Sequence, residues 1–280
     1  MRKRRHGPRR SEHEQRSVRE HQPRHRAGEP VATLRSDANL VLLHGFHPVR
    51  EALRAGRRKF VRLHAAREAA DRLAAEIAAA GVPVNLVSTE DLTARLGAQA
   101  VHQGVLLEAL PLEGGDISDV ASSRGIVLVL DQVTDPHNFG AIIRTAAAFG
   151  IEALITTHRH SPHISGVLAK AASGGLEYVP LISVTNLARA LDTLGDYGFL
   201  RVGLDSEGPA SLDALAISTP LALVFGAEGQ GLRRLTREKC DALARLDMPG
   251  AIKSLNVSNA CAVALTLVTR ALNQQSGGRP

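Results

Sequence analysis

Three short segments of the chain hold residues whose types and spacing suit chemistry. In TDPHNFGAIIRTAAAFG, residues 134–150, an apolar run stops and restarts as an alanine-rich helix carrying one arginine, Arg144. Its helical neighbours three and four positions away are Gly140, Ala141, Ala147 and Ala148, so its own helix offers no acidic partner. A guanidinium among small residues suits an anionic ligand that needs room to approach; an ion pair with a distant carboxylate is the ordinary alternative. Asn138 stands where its side chain could cap the helix by accepting from free backbone N–H groups. The second segment, VFGAEGQGLRRL at 224–235, sets Gly226, Gly229 and Gly231 around Glu228. Three glycines permit positive φ or close approach of backbone to a ligand. Their G-x-x-G-x-G spacing is not the dinucleotide fingerprint, and no Lys-Ser/Thr follows as a P-loop requires. A glycine-rich tight turn is the plain reading. The third, LDMPGAIKSLNVSNACAVAL at 246–265, gathers Ser254, Asn256, Ser258 and Asn259 at the mouth of an otherwise apolar helix. Such a helix is expected to be buried, and capping accounts for only one or two of those four polar side chains.

The elements that must position these residues alternate regularly. Strands are expected at 126–132, 152–157, 178–183, 200–205, 220–225 and 244–248, with helices near 139–149, 164–173, 186–195, 232–243 and 255–273. Apolar strands alternating with helices indicate an α/β fold with a parallel sheet covered on both faces. Ligands of such sheets sit at the carboxyl ends of the strands, where all three segments begin. A smaller α/β unit is expected over 40–110. Its strands are near 40–44, 60–66, 82–88 and 104–110, with a helix opening near Pro48, a periodic helix over 66–82 ended by Gly81 and another capped by Thr89. The polar, turn-rich stretch 111–125 suits a linker to a C-terminal domain over 126–275.

Charge is unevenly placed. Residues 1–39 hold eleven Lys/Arg and five Asp/Glu, whereas the remaining 241 residues hold 23 of each sign. This basic, apolar-poor tail is expected to be disordered, either as a sequence-independent hold on nucleic-acid phosphates or as a solubilising extension. The longest apolar stretch, ACAVALTLV at 260–268, is far short of the ~20 residues a membrane span needs. No apolar segment follows the charged N-terminus as a secretory signal requires. Cys240 and Cys261 stand alone, which argues for a reducing cytoplasmic location and against a disulfide framework or cysteine-ligated zinc. His158, His160 and His163 have a spacing that could ligate a metal, but Pro162 stands where such sites usually add an aspartate, so a solvated loop is expected.

Taken together, TDPHNFGAIIRTA, VFGAEGQGLRRLT and MPGAIKSLNVSNACAVAL resemble, in order and spacing, the three motifs of the SpoU/TrmH branch of the SPOUT RNA methyltransferases. The intervening AKAASGGLEYVPLISVTNLARAL is similar to the family as well, and the likeness runs over about 40–273. HGFHPVREAL and VHQGVLLEAL resemble the small ribosomal-protein-like RNA-binding domain of the branch that methylates a guanosine ribose in 23S rRNA. The tail has no counterpart in the family's core.

The resemblance implies transfer of a methyl group from S-adenosylmethionine to a ribose 2′-OH by a homodimer. It also implies a C-terminal domain threaded into a deep trefoil knot, which topology rules alone argue against. Under this reading Asn138 and Arg144 face the target nucleotide, Glu228 orients the site, and Ser254 and Asn256 complete it. The cofactor lies against Gly226, Leu246 and Leu255. Glu228 would repel a phosphate ligand, but it suits a sulfonium cation. A guanidinium is effectively always protonated, so Arg144 is expected to clamp a phosphate and stabilise the developing alkoxide rather than act as a base. The implied partner is 23S rRNA or a large-subunit assembly intermediate, not DNA or a membrane, since the 2′-OH separates RNA from DNA. A tRNA ribose methyltransferase, a non-catalytic RNA-binding module of the same fold and a histidine-ligated metallohydrolase are the alternatives.

Overall fold

A computed structural model describes residues 40–159, 161–162, 166–252 and 254–277. The basic tail and two of the three histidines, His160 and His163, lie outside the described residues. Along the chain run β1 (Val41–His44), α1 (Phe46–Ala55), β2 (Phe60–Ala65), α2 (Arg67–Arg72), α3 (Ala74–Ala80), β3 (Val84–Leu86), α4 (Thr89–Leu96) and β4 (Val105–Ala109). Then come β5 (Ile126–Asp131), α5 (Pro136–Ala148), β6 (Ala153–Thr157), α6 (Gly166–Ala172), β7 (Leu181–Val184), α7 (Leu187–Asp196), β8 (Leu200–Leu204) and β9 (Ala210–Ser211). The chain finishes with β10 (Leu221–Gly226), α8 (Arg234–Glu238), β11 (Ala242–Arg245) and α9 (Val257–Gly277).

The first four strands form one sheet in the order β1-β4-β2-β3, and the other seven form a second in the order β7-β6-β5-β10-β8-β11-β9. Every pairing in the larger sheet is parallel. Its central strands alternate between two apolar cores. Leu128, Leu130, Leu223 and Phe225 pack with α5, α6 and α9 on one face, while Val127, Val129, Ala222 and Val224 pack with α7 on the other. This two-sided burial is why β5 and β10 read as unbroken apolar runs. The α/β class and the parallel sheet are therefore as expected from the alternation.

Several local expectations are corrected. The long helix over 66–82 is two helices, because Leu73 leaves helical geometry at φ −104°, ψ 10° and is wholly buried. Ser88, not Thr89, caps α4; its hydroxyl accepts from Asp91 N–H while the Asp91 carboxylate accepts from Ser88 N–H. Helix α8 spans only Arg234–Glu238, and α9 is buried along one side, through Cys261, Ala264, Leu265 and Val268, with Val263 exposed on the other. The stretch 111–125 is tied to the sheet edge by a bridge from Gly115 to Ile182.

Cys240 and Cys261 are both free, and burial pushes each thiol up to about 12, so neither is a nucleophile near neutrality. Among the described residues no helix is long and apolar enough to cross a membrane.

Burial also depresses His64, helped by the nearby Arg95 guanidinium and opposed by Glu108, whose Oε1 lies 3.2 Å from Nε2. The unfolded chain therefore takes up this proton first. The stability difference is nil well above the ordinary value of 6.5. It grows as the pH falls from there toward the lower folded value. Thermal melts of the wild type should decline over that interval, and His64→Gln should flatten the decline. Parallel curves for the two proteins would remove His64 from the acid response.

Candidate active site

The carboxyl ends of β5 and β10, adjacent in the sheet, place the first and second motifs side by side. After β5 the chain turns through Gln132, which holds φ 62°, an uncommon conformation for a residue with a side chain. Asp135 then caps α5 by accepting from Asn138 N–H at 2.8 Å, with Pro136 in the first helical turn. The cap is thus Asp135, and the Asn138 side chain is left free to leave its own helix.

After β10 the chain doubles back on itself. Gly231 N–H donates to Ala227 O at 2.9 Å, and Gly229 and Gly231 hold φ of 79° and 66°. A Cβ at Gly226 would lie 2.1 Å from the Gly231 carbonyl carbon, so only glycine fits beneath this fold-back. The turn is pinned to β5 by Asp131, which is wholly buried and accepts from Arg233 Nε at 2.6 Å and from Arg233 N–H at 3.1 Å.

The third segment arrives from β11 and opens α9. Asn256 caps that helix, its Oδ1 accepting from Ser258 N–H at 3.0 Å and from the Ser258 hydroxyl at 2.6 Å. Its Nδ2 donates to Asn138 Oδ1 at 2.9 Å and toward Glu228 Oε2 at 3.4 Å. Asn138 Nδ2 donates to the same Glu228 oxygen at 3.3 Å. Three residues from three distant segments thus form one hydrogen-bonded triangle, with both amides directed at a carboxylate.

The triangle stands where two cavities meet. One, of about 640 Å³, is lined by Gly226, Glu228, Leu246, Ser254, Leu255 and Asn256, among others. The other, of about 420 Å³, is lined by residues 132–135 together with Asn138, Glu228 and Gln230. Ala227, Glu228, Gln230 and Val257 belong to both. The larger cavity falls in the range of small-ligand pockets. Its glycine-rich wall exposes main chain, Phe225, Leu246 and Met248 supply apolar surface, and Glu228 supplies negative charge.

Seven of the eight residues to which the resemblance gives site roles line these cavities. Arg144 does not. It lies six positions from Asn138, which turns it roughly 120° around the helix. It is exposed and has no hydrogen-bond or ion-pair partner among the described residues. The small residues beside it do not hold space for a ligand: a Cβ on Gly140 would come within 2.4 Å of Ala171 Cβ, so α6 fills that room. The sequence reading missed Gln132, the Asp131–Arg233 lock, and Asp205, whose carboxylate meets Arg237 at 2.8 Å in the wall of the larger cavity. Charged residues ending the apolar strands β5 and β8 were the available signal. Among the described residues no cluster could hold a metal, and His158 is exposed.

The profile of the SpoU rRNA Methylase family matches residues 125–266, and that of RNA 2′-O ribose methyltransferase substrate binding matches residues 42–114. The chain is 39% identical over 238 residues to the 23S rRNA (guanosine-2′-O-)-methyltransferase RlmB of Yersinia pestis, across 82% of this chain and 96% of that one. It is 45% identical over 179 residues to the RlmB of Pseudomonas aeruginosa, across 62% and 72%. The solved SpoU methyltransferase AviRb of Streptomyces viridochromogenes, in complex with AdoMet, shares the fold with a TM-score of 0.70 at 23% identity, over 86% and 92% of the two chains. The chain belongs to the SpoU family of rRNA methylases.

Proposed function

We infer that this protein is an S-adenosylmethionine-dependent methyltransferase that modifies the ribose 2′-OH of a guanosine in 23S rRNA. The observation that carries this is the Asn138–Glu228–Asn256 triangle at the junction of two cavities, one fit for cofactor and one open to substrate. The relatives' activity and the match of residues 42–114 to a substrate-binding profile support rRNA as the substrate and the front lobe as the part that grips it. That lobe is the family's ribosomal-protein-like domain under this reading, spanning 40–110. The trefoil knot belongs to the same reading: threading the chain after β11 past the 226–231 turn would account for residues of both segments lining one cavity.

The residues present fit the cofactor. Main chain around Gly226, with Leu246 and Leu255, would hold it, and Glu228 offers negative charge to its cationic groups. When bound it supplies an activated methyl group, and the rest of the task is alignment. Asn138 and Asn256 fix the Glu228 carboxylate, and Ser254 adds a hydroxyl at the cavity wall. Holding nucleophile and acceptor in line can supply roughly 7–11 kcal/mol of the barrier. Arg144 clamps the adjacent phosphate and stabilises the forming alkoxide, and the proton leaves through water or a phosphate oxygen.

Because Arg144 is exposed and lines neither of its own chain's cavities, we place it in the site of a second copy. Phe149, at the end of the same helix, is 37% exposed and would lie beside Arg144 in the contact of such a homodimer. A ribosomal RNA substrate and two free thiols fit a cytoplasmic location.

Gly226→Ala should push the 227–231 turn into the cofactor cavity. Strain of about 1–3 kcal/mol corresponds to a roughly 10- to 100-fold loss of S-adenosylmethionine affinity. Titration calorimetry would read this, and unchanged affinity would detach the turn from cofactor binding. The reaction itself is tested by transfer from methyl-labelled S-adenosylmethionine to unmodified total RNA, with the labelled nucleotide mapped. Label at one guanosine of 23S rRNA is the expected result. Label in tRNA would keep the chemistry and overturn the substrate. Cofactor binding without transfer to RNA or to ribosomal particles would leave an RNA-binding module.

A further inference from the structure

Outside its tail the chain carries equal numbers of positive and negative side chains, yet the charge is not evenly spread. A separate cavity of about 490 Å³ opens at the carboxyl ends of β6 and β7. Arg159, Arg233 and Arg234 line it, and no carboxylate does. The remaining wall includes Thr157, Asn186 and the first turn of α7. Asn186 caps that helix by accepting from Arg189 N–H at 3.1 Å, and the other first-turn N–H groups add partial positive charge. The Thr157 hydroxyl is buried with no hydrogen-bond partner among the described residues.

The three arginines differ in how committed they are. Arg233 is held by the buried Asp131 and fixes the backbone of the turn. Arg234 pairs with Glu238 one helical turn on, with both side chains largely in solvent, an arrangement readily exchanged for a better anion. Arg159 is exposed and has no ion-pair partner among the described residues. Two guanidiniums are therefore free to fork onto an incoming phosphate, which Arg suits by planar bidentate geometry.

The position of this cavity matters as much as its charge. Gln230 lines the substrate-side cavity and Arg233 lines this one, three residues further on, which spans at most about 10 Å. Asp131 joins the two, since its next residues, 132–135, line the first cavity while its carboxylate holds Arg233. A strand of RNA with its reacting ribose at Asn138 and Glu228 would pass this second opening with its neighbouring backbone.

We propose that the cavity at the ends of β6 and β7 is a phosphate subsite that holds a phosphodiester flanking the methylated nucleotide, an assignment that rests on the RNA methyltransferase reading. It selects no base; it sets the register of the strand and contributes salt-dependent affinity.

The test is binding of unmodified 23S rRNA transcript across a KCl series, using wild type, the double charge reversal Arg159→Glu with Arg234→Glu, and the double conservative change Arg159→Lys with Arg234→Lys. Arg233 is left intact. The reversal should weaken RNA binding at least about tenfold, and losing two phosphate contacts should make the log–log salt slope shallower by roughly 1.5. S-adenosylmethionine affinity should not change, and the lysine pair should recover most of the RNA affinity. Wild-type affinity and slope in the reversal variant would overturn the subsite. So would a parallel loss of cofactor binding, which would assign these arginines to the fold. Wild-type protein that binds the transcript but transfers no methyl group would sink the enzymatic reading while leaving the subsite measured by the same binding series.

Discussion

Mixing the Asn138→Ala and Arg144→Ala proteins should restore methyl transfer that neither has alone. Each single variant is expected to lose about 10²–10³-fold in kcat, the scale for removing one preorganised group that stabilises charge at the reacting atoms. Asn138 lines its own chain's cavities and donates to Glu228 at 3.3 Å. Arg144, on the same helix, lines neither of them and is exposed. If each site takes Asn138 from one copy and Arg144 from the other, a mixed dimer carries one intact and one doubly defective site. Random reassociation makes half the dimers mixed, so activity should return to about a quarter of wild type. If both residues serve the same chain's site, every site in every dimer lacks one group and nothing is recovered. Arg144→Lys adds a separate reading: near-normal turnover recovered at high pH would favour a base over the phosphate clamp proposed here.

Truncating Arg58 should be the most damaging single change to stability. Its Nε lies 2.9 Å from both carboxylate oxygens of Glu177, and the two side chains are 1% and 2% exposed. Arg58 also donates to Leu110 O at 3.3 Å, and Arg57 donates to Glu177 O at 3.3 Å. Arg58→Ala strands a buried carboxylate, at a cost of about 3–5 kcal/mol. That corresponds to a fall in Tm of roughly 10 °C for a unit of this size. Replacing both partners, Arg58→Met with Glu177→Leu, should cost clearly less, because no unpaired charge remains. Denaturant titration of the three proteins decides the matter, and a loss under about 1 kcal/mol for Arg58→Ala would mean that water reaches the pair.

The consequences of this pair extend to the site. Glu177 follows Gly174 and Gly175, and a Cβ on Gly175 would approach Ile143 O at 3.0 Å and Arg144 Cα at 3.1 Å. Glu51, on α1, accepts from the Tyr178 hydroxyl at 2.8 Å. The front lobe thus grips a short segment that rests directly on the backbone beneath Arg144. Loosening that grip should lower turnover before it lowers cofactor affinity.

How much of this could be read beforehand follows from what each signal depends on. The parallel sheet was legible because β5 and β10 are buried on both faces and so lack alternation. The break at Leu73 was not, since a periodic apolar pattern reports burial and not backbone continuity. Asn138, Glu228 and Asn256 stood out by residue type and position, but the shared site role of these residues, 90 and 118 positions apart, came only through family resemblance. Their mutual hydrogen bonds depend on strand order, which no local pattern encodes. The same applies to Arg144: its identity was plain in the sequence, whereas its orientation required the helix phase set by the Asp135 cap. Asp131 and Arg233 escaped notice because an aspartate ending an apolar strand looks like an ordinary boundary until its partner, 102 residues away, is seen.

The most direct test of the account is methyl transfer to the mapped 23S rRNA segment in which the target guanosine alone carries 2′-deoxyribose. The account predicts unchanged RNA and cofactor binding with no transfer to that guanosine, since its nucleophile has been removed. Transfer that persists on that same deoxyguanosine would place the methyl group on the base and contradict the ribose 2′-OH chemistry assigned to Asn138, Arg144 and Glu228.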